Sequence, residues 1–277
     1  MLDMTQFKHS VKIFMGGDVC GKAGLETLQM QLPKLLKNEY IDFCIVNGEN
    51  TANGIGIKDD EADIFFQTGV DVITGGNHTL ERFDVRNNFG RDKRILRPHN
   101  FPQALGSGVV RIEKNGVNYI VINLQGRENM KPIDCPFKTL DAILSGSQNV
   151  LSVSNLKNSI YILDFHAEST SEKEAMGFYA DGRISVFAGT HTHTQTADER
   201  ILPKGTAYIT DAGMIGSKNS VIGGNYEAAI LRAKTQVPHK AEMNTADSII
   251  FCGIIAEVNL EDKKAVDIKR VFIEGHL

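Results

Sequence analysis

Residues 11–37 read VKIFMGGDVCGKAGLETLQMQLPKLLK, and the organisation of the whole chain can be worked out from this stretch. Val11 to Met15 is a short apolar run that stops at Gly16-Gly17, the punctuation of a strand giving way to a loop. From Gly24 to Lys37 the apolar residues recur at helical spacing, interrupted by Pro33. The motif then repeats. Ile41 to Val46 reads as a buried strand ending in Asn47-Gly48, residues from about Lys58 to Thr68 as a helix, and Val70 to Thr74 as the next strand. Strands alternating with helices predict a parallel sheet and an α/β fold.

Further along, Val109 to Glu113 and Val117 to Ile122 flank Asn115-Gly116, a dipeptide favoured in tight hairpin turns, so an antiparallel element is expected to join the sheet. A helix is predicted near Phe137 to Leu144. Ile160 to Asp164 and Ile184 to Ala188 read as buried strands separated by a helix rich in Glu and Lys, and Ser248 to Glu257 with Ala265 to Ile273 as a closing hairpin. With no internal repeat, low-complexity tract or long linker, the simplest expectation is one layered α/β sandwich domain over residues 1–277.

The 277 residues are 42% apolar, enough for a sizeable core, and the formal charge of −4 gives no global positive field to hold a nucleic-acid backbone. Cys20, Cys44, Cys135 and Cys252 are widely spaced and form no CxxC pair, which suits reduced thiols in a cytoplasmic protein. The start, MLDMTQFKHS, lacks the apolar core of a signal peptide, and no run of about 18 apolar residues predicts a membrane span.

Polar clusters sit just beyond the ends of five predicted strands, where open α/β sheets collect ligands. They are Gly17-Asp18-Val19-Cys20-Gly21, Asn47-Gly48-Glu49-Asn50, Gly75-Gly76-Asn77-His78, Asp164-Phe165-His166 and Gly189-Thr190-His191-Thr192-His193. Each alone has a plainer explanation: Asp18 as a helix cap, the Asn-Gly and Gly-Asn pairs as turns, His166 as a core histidine. The pair His191 and His193 is more specific, since residues two apart on an extended segment project to one side and can grip adjacent metals. Five independent coincidences are much less probable than one shared site. Asp18, Glu49, Asn50, Asn77, His166, His191 and His193 together offer two carboxylates, two amide oxygens and three imidazoles, a mixed set that suits manganese, iron or zinc better than copper(I). Two divalent ions against two carboxylates leave the site positive, able to attract a phosphate anion.

In this order the motifs resemble those of the calcineurin-like metallophosphoesterases: an early GD, a bridging acid, GNH, a lone His and a terminal GHxH. Within that superfamily they are similar to the bacterial YmdB-type phosphodiesterases, through GGDVCGKAG, VNGENTANGIG, TGGNHTLER, DFHAESTSEKEAMG and GTHTHTQTADERI, over roughly residues 12 to 224. The resemblance implies a four-layer α/β/β/α sandwich, two divalent metals, and hydrolysis of a small-molecule phosphodiester or cyclic nucleotide (2′,3′- or 3′,5′-cyclic) by water activated between them. It implies that Asp18, Glu49, Asn50 and His193 hold the first metal, that Glu49 bridges, and that Asn77, His166 and His191 complete the second. His78 takes the general-acid or charge-stabilising role, and a homo-oligomer is possible. The chain departs from the broad pattern at Cys20, where a histidine often stands, and at Glu49-Asn50, which replace the usual aspartate motif. Asn50 then substitutes for the histidine, and Cys20 reads better as a small buried thiol than as a ligand.

Two rivals belong to other classes. Gly16 to Lys22 fits GxxxxGK, the phosphate loop of nucleotide hydrolases, but Ala23 stands where a Ser or Thr should reach magnesium, and Asp18 would put a negative charge in the cradle. A regulatory protein that binds metal and nucleotide with little turnover would carry the same ligands.

Overall fold

A computed structural model of the chain describes residues 9–82, 90, 92–102, 105–147, 158–238, 242–244 and 248–277; the first eight residues, part of the stretch read against a signal peptide, lie outside them. Ile13, Phe14 and Met15 show why the first apolar run is a strand buried on both faces. Ile13 and Met15 join a cluster with Val121, Ile162 and Val186, whereas Phe14 packs on the other side with Leu28, Leu32 and Phe65. The strand, β1 (Ser10–Val19), runs through Gly16-Gly17 instead of stopping there. A Cβ on Gly17 would lie 1.9 Å from the carbonyl oxygen of Gly213. That oxygen accepts from Asp18 N at 3.1 Å. The glycines therefore mark a close approach of two backbones inside the sheet, not a loop.

On one side β1 pairs in parallel with β2 (Phe43–Asn47), which pairs in parallel with β3 (Val72–Thr74). On the other side its partner changes along its length. Ser10 to Gly16 run antiparallel to Gly253 to Asn259, while Asp18 and Val19 run parallel to Met214 and Ile215. Those partners belong to β11 (Ser248–Asn259) and β10 (Met214–Ser217), and β12 (Ala265–His276) closes a six-stranded sheet of order β12-β11-β10-β1-β2-β3.

The second sheet starts from the expected hairpin, β4 (Val109–Lys114) and β5 (Val117–Gln125). Its turn residues Asn115 and Gly116 both have positive φ, 53° and 76°, as a tight primed turn requires. Then come β6 (Ser159–His166), β7 (Val186–Thr190), β8 (Arg200–Ile201) and β9 (Ala207–Ile209), in the order β4-β5-β6-β7-β9-β8. The sheets face each other across one core, where Phe43 and Tyr119 stack at 4.0 Å. Helices α1 (Gly21–Glu39) and α2 (Asp59–Thr68) cover the outer face of the first sheet, and α3 (Pro136–Leu144) and α4 (Thr170–Ala180) that of the second. The result is the four-layer α/β/β/α sandwich.

Helix α1 begins three residues before its predicted start and passes through Pro33 unbroken. Leu28 and Leu32 are fully buried and Leu35 nearly so. Their burial contributes roughly 1.5–3 kcal/mol each, which outweighs the ~3 kcal/mol an interior proline costs. Three strands, β8 to β10, and a last helix, α5 (Tyr226–Thr235), fill the stretch between His193 and Ser248, where the sequence alone suggested no element. Among the described residues, no helix is long and apolar enough to cross a membrane.

Candidate metal centre and active site

Parallel strands deliver their carboxyl ends to one edge, and here both sheets deliver them to the same place. Asp18 lies next to the end of β1, and His166 ends β6; Glu49 and Asn50 follow β2, Asn77 and His78 follow β3, and His191 and His193 follow β7. His166 is the centre of the cluster. Its Nε2 stands 2.9 Å from Glu49 Oε1, 3.0 Å from Asn77 Oδ1 and 3.0 Å from His191 Nδ1. Its ring fits under the loop after β3 because residue 76 is glycine; a Cβ there would lie 2.2 Å from His166 Cδ2. Asp18 Oδ1 is 3.8 Å from His166 Nδ1 and 3.9 Å from His193 Nε2, and Asp18 Oδ2 accepts from His191 N at 3.1 Å. Glu49 Oε2 accepts from His78 N at 2.8 Å.

The outward partners of the three rings determine which nitrogens can face the cluster as lone pairs in neutral rings. Thr190 Oγ1 donates to Asp164 Oδ1 at 2.7 Å, so it accepts the Nδ1 proton of His166 at 2.9 Å. Ile222 O, which can only accept, takes the Nδ1 proton of His193 at 2.9 Å. Glu168 Oε2 stands 3.1 Å from His191 Nε2. This leaves His166 Nε2, His193 Nε2 and His191 Nδ1 free to donate electrons inward, the arrangement in which ring tautomers are set by outer hydrogen bonds.

The oxygens show the same lack of donors. Among the described residues, Asp18 Oδ1, Glu49 Oε1 and Asn50 Oδ1 are buried without a hydrogen-bond partner. Glu49 Oε1 sits at ion-pair distance from His166 but without hydrogen-bond alignment. The amide of Asn50 is oriented by its Nδ2, which donates to Gly54 O at 3.0 Å and so turns Oδ1 away. Buried acceptors that converge without donors are costly unless a cation joins them, and oxygens with imidazole nitrogens suit a divalent ion. The residues fit such a group.

Burial opposes charge on His166 and His193, yet Glu49 and Asp18 around the first, and Cys20, Asp18 and the Ile222 carbonyl around the second, hold both rings above the usual histidine range. Burial and the neighbouring His166 push His191 down to about 3. Glu49 is buried but is lowered to about 2 by His166 and His78, whereas burial raises Asp18.

Residues that the sequence did not nominate as ligands hold this site in shape. Asp164, behind His166, accepts from Thr74, Thr190 and Asn47, and burial nevertheless lifts it to about 6. His191 and His193 have φ of 101° and 63°, unusual for residues with a side chain. Between them Thr192 donates through N and Oγ1 to Asp211 Oδ2, at 3.2 and 2.7 Å. His78 Nδ1 meets Glu81 Oε2 at 2.7 Å, and Lys131 Nζ donates to Glu81 Oε1 at 2.7 Å. The position of Glu168, two residues beyond His166, was the one local signal that could have marked it.

The plainer readings of Asp18 and the phosphate-loop reading both fail. The N-cap of α1 is Cys20, with no side-chain cap bond, so Asp18 caps nothing. Gly16 to Val19 are strand, and Lys22 is 80% exposed and pairs with Glu26 on the surface. The buried thiol of Cys20 lies 3.4 Å from His193 Nδ1, on the side of the ring away from Nε2.

Two mixed sheets faced by helices, with this cluster on their common edge, define a protein of the metallophosphoesterase fold. The chain belongs to the YmdB-like protein family, whose model matches residues 14–271. It is 40% identical over 265 residues to a 2′,3′-cyclic-nucleotide 2′-phosphodiesterase of Bacillus subtilis (strain 168), covering 95% of this chain and 97% of that protein. Among solved structures, a Mycoplasma pneumoniae phosphatase superposes with TM-score 0.88 at 34% identity, covering 98% of this chain and 95% of the other. A 5′-nucleotidase precursor from Thermus thermophilus, at 11% identity and TM-score 0.53, covering 95% of this chain and 54% of that one, shares the fold alone.

Proposed function

We propose that the chain is a dinuclear metal-dependent phosphodiesterase that opens cyclic nucleotides, most directly a 2′,3′-cyclic nucleotide at its 2′ ester. The observation that carries this reading is the convergence of three imidazole lone pairs and three donor-free oxygens at one strand edge. The activity named for the Bacillus subtilis relative supports the substrate class. Asp18, Glu49, Asn50 and His193 would hold one ion, and Asn77, His166 and His191 the other, with Glu49 shared. Iron or manganese suits the oxygen-rich set, and zinc is compatible with it.

When bound, two such ions acidify water to a nucleophile and neutralise charge on the phosphoryl oxygens. The chain does the rest. Glu168, Thr190 and Ile222 O fix the three rings, so no reorientation is needed during reaction. His78 lines the same cavity as Glu49, Asn50, His191 and His193, and its Nδ1 is engaged by Glu81, which leaves Nε2 to hand a proton to the departing sugar oxygen. Asn77, one residue earlier, ties that histidine's loop to the metal cluster.

The test is a crystal of protein reconstituted with manganese or iron, together with product analysis. Two anomalous peaks about 3.5–4 Å apart within the seven-residue cluster, and release of the 3′-phosphate from a 2′,3′-cyclic nucleotide, are expected. A single peak, or none, would end the dinuclear reading. Tight nucleotide binding with two ions and no product would favour the regulatory protein instead.

A further inference from the structure

A cavity of about 690 Å³ opens from the metal cluster, within the size range of small-molecule sites. Glu49, Asn50, His78, His191 and His193 line it together with residues of α5. That helix is unusual in how it disposes its side chains. None of its residues is buried, and its large apolar groups Tyr226, Ile230 and Leu231 are 46, 53 and 45% exposed. The positions that line the cavity are Ala228, Ala229, Arg232 and Ala233. A helix that only closed a core would reverse this, with large apolar residues inward. Here the inward stripe is kept smooth and leaves room for a flat ring.

Apolar side chains line the cavity as well. Met243 lies against Gly21, Gly54 and Gly223, at each of which a Cβ would come within 3.0 Å of its side chain, and Ile55 and Ile222 line the same cavity. Arg232 is the one charged side chain on the cavity face of α5, and its guanidinium has no hydrogen bond or ion pair among the described residues. Ile222 O holds His193, so the segment entering α5 is tied to the metal cluster, and Arg232 lies seven residues beyond Asn225, about 10 Å along the axis.

Resting on the phosphodiesterase reading above, we propose that this cavity is the nucleoside subsite and that Arg232 binds a second phosphate, carried on the 5′ oxygen of the same nucleoside. The base lies between the alanine stripe and Met243, and the planar guanidinium takes the phosphate with two parallel hydrogen bonds. The preferred substrate is then a cyclic nucleotide that also bears a 5′ phosphate, either a terminal monoester or the preceding diester of an oligonucleotide end, rather than a bare nucleoside cyclic phosphate.

Calorimetric binding to the manganese-loaded protein tests this without relying on turnover. Adenosine 3′,5′-bisphosphate should bind about 10-fold or more tightly than adenosine 3′-monophosphate, the range expected when a charged hydrogen-bonded pair is added. Arg232→Gln should abolish that preference and leave the affinity for the 3′-monophosphate unchanged. A dinucleotide ending in a 3′-phosphate separates the two sources: if it keeps the full advantage, the diester suffices, and if it loses it, the terminal monoester is required. Equal binding of the mono- and bisphosphate by the unmutated protein, or an equal loss for both in Arg232→Gln, would overturn the assignment. Failure to hydrolyse any cyclic nucleotide, with the binding preference intact, would instead count against the proposed reaction and leave the subsite standing.

Discussion

Lys173 Nζ donates to Asp211 Oδ2 at 2.7 Å, with both side chains 1% exposed, and that same carboxylate oxygen holds Thr192. The buried pair thus clamps the residue between two histidines whose backbones lie at positive φ, a conformation costing roughly 1–3 kcal/mol at each such residue unless the surroundings impose it. Thr192→Val keeps the shape and the ion pair but removes the hydroxyl bond. It should lower metal affinity about 10-fold, the usual effect of losing an outer-shell partner, with little change in melting temperature. Lys173→Met should instead destabilise the fold by about 3–5 kcal/mol, because it leaves Asp211 charged in the core without its cation. Metal titration and thermal unfolding of both variants check this. Unchanged metal affinity in Thr192→Val would mean that the loop holds its histidines without the clamp.

Glu49, nominated as the ligand shared by both ions, has Oε1 at His166 and Oε2 accepting from His78 N. Glu49→Gln removes one full negative charge from between two cations, so metal content per chain should fall for both ions. Lys22→Ala, on the exposed face of α1, should leave content and activity unchanged. Two tightly bound ions retained in Glu49→Gln would assign the bridge to another acid.

His78 is expected to supply a proton and not a metal bond. In His78→Ala both ions should remain, while turnover of a cyclic nucleotide falls by about 10²–10⁴-fold, the range of general acid–base catalysis. An aryl phosphodiester, whose nitrophenolate departs as an anion, should lose much less. Glu81→Gln, which weakens the grip on His78 Nδ1, should reproduce the same substrate dependence in milder form. Equal losses on both substrates with metals intact would exclude leaving-group protonation.

Metal affinity should rise with pH. In the metal-free protein His166 and His193 titrate above the usual histidine range, so each holds its proton to higher pH than a free imidazole and the ion competes with that proton, whereas His191 is pushed down to about 3. The sign follows: below the raised values, each fall in pH adds competing protons and weakens binding. Calorimetry in buffers of different ionisation enthalpy should show protons released on binding at pH 7. Affinity that is flat between pH 6 and 8 would contradict the assignment of these rings as ligands.

The sequence by itself determined the βα alternation, the Asn115-Gly116 hairpin and the strand-end clusters, because each is written within a few residues: apolar period, turn chemistry, and polar groups just past a buried run. The side chains it nominated, from Asp18 to His193, all stand at the strand edge where the two sheets meet. The tertiary structure alone decided the rest, because it depends on partners far apart in the chain. Gly17 is strand and not loop because Gly213 approaches it from a distant part of the sequence. Helix α1 survives Pro33 because a sheet buries its leucines. Thr190, Ile222 O and Glu168 fix the rings of His166, His193 and His191, and Lys173 reaches Asp211 from α4. Nothing in local spacing encodes such contacts. Even α5, weakly amphipathic and without a buried residue, acquires meaning only from the cavity it faces, since a helix is legible in sequence chiefly through the core stripe that this one lacks.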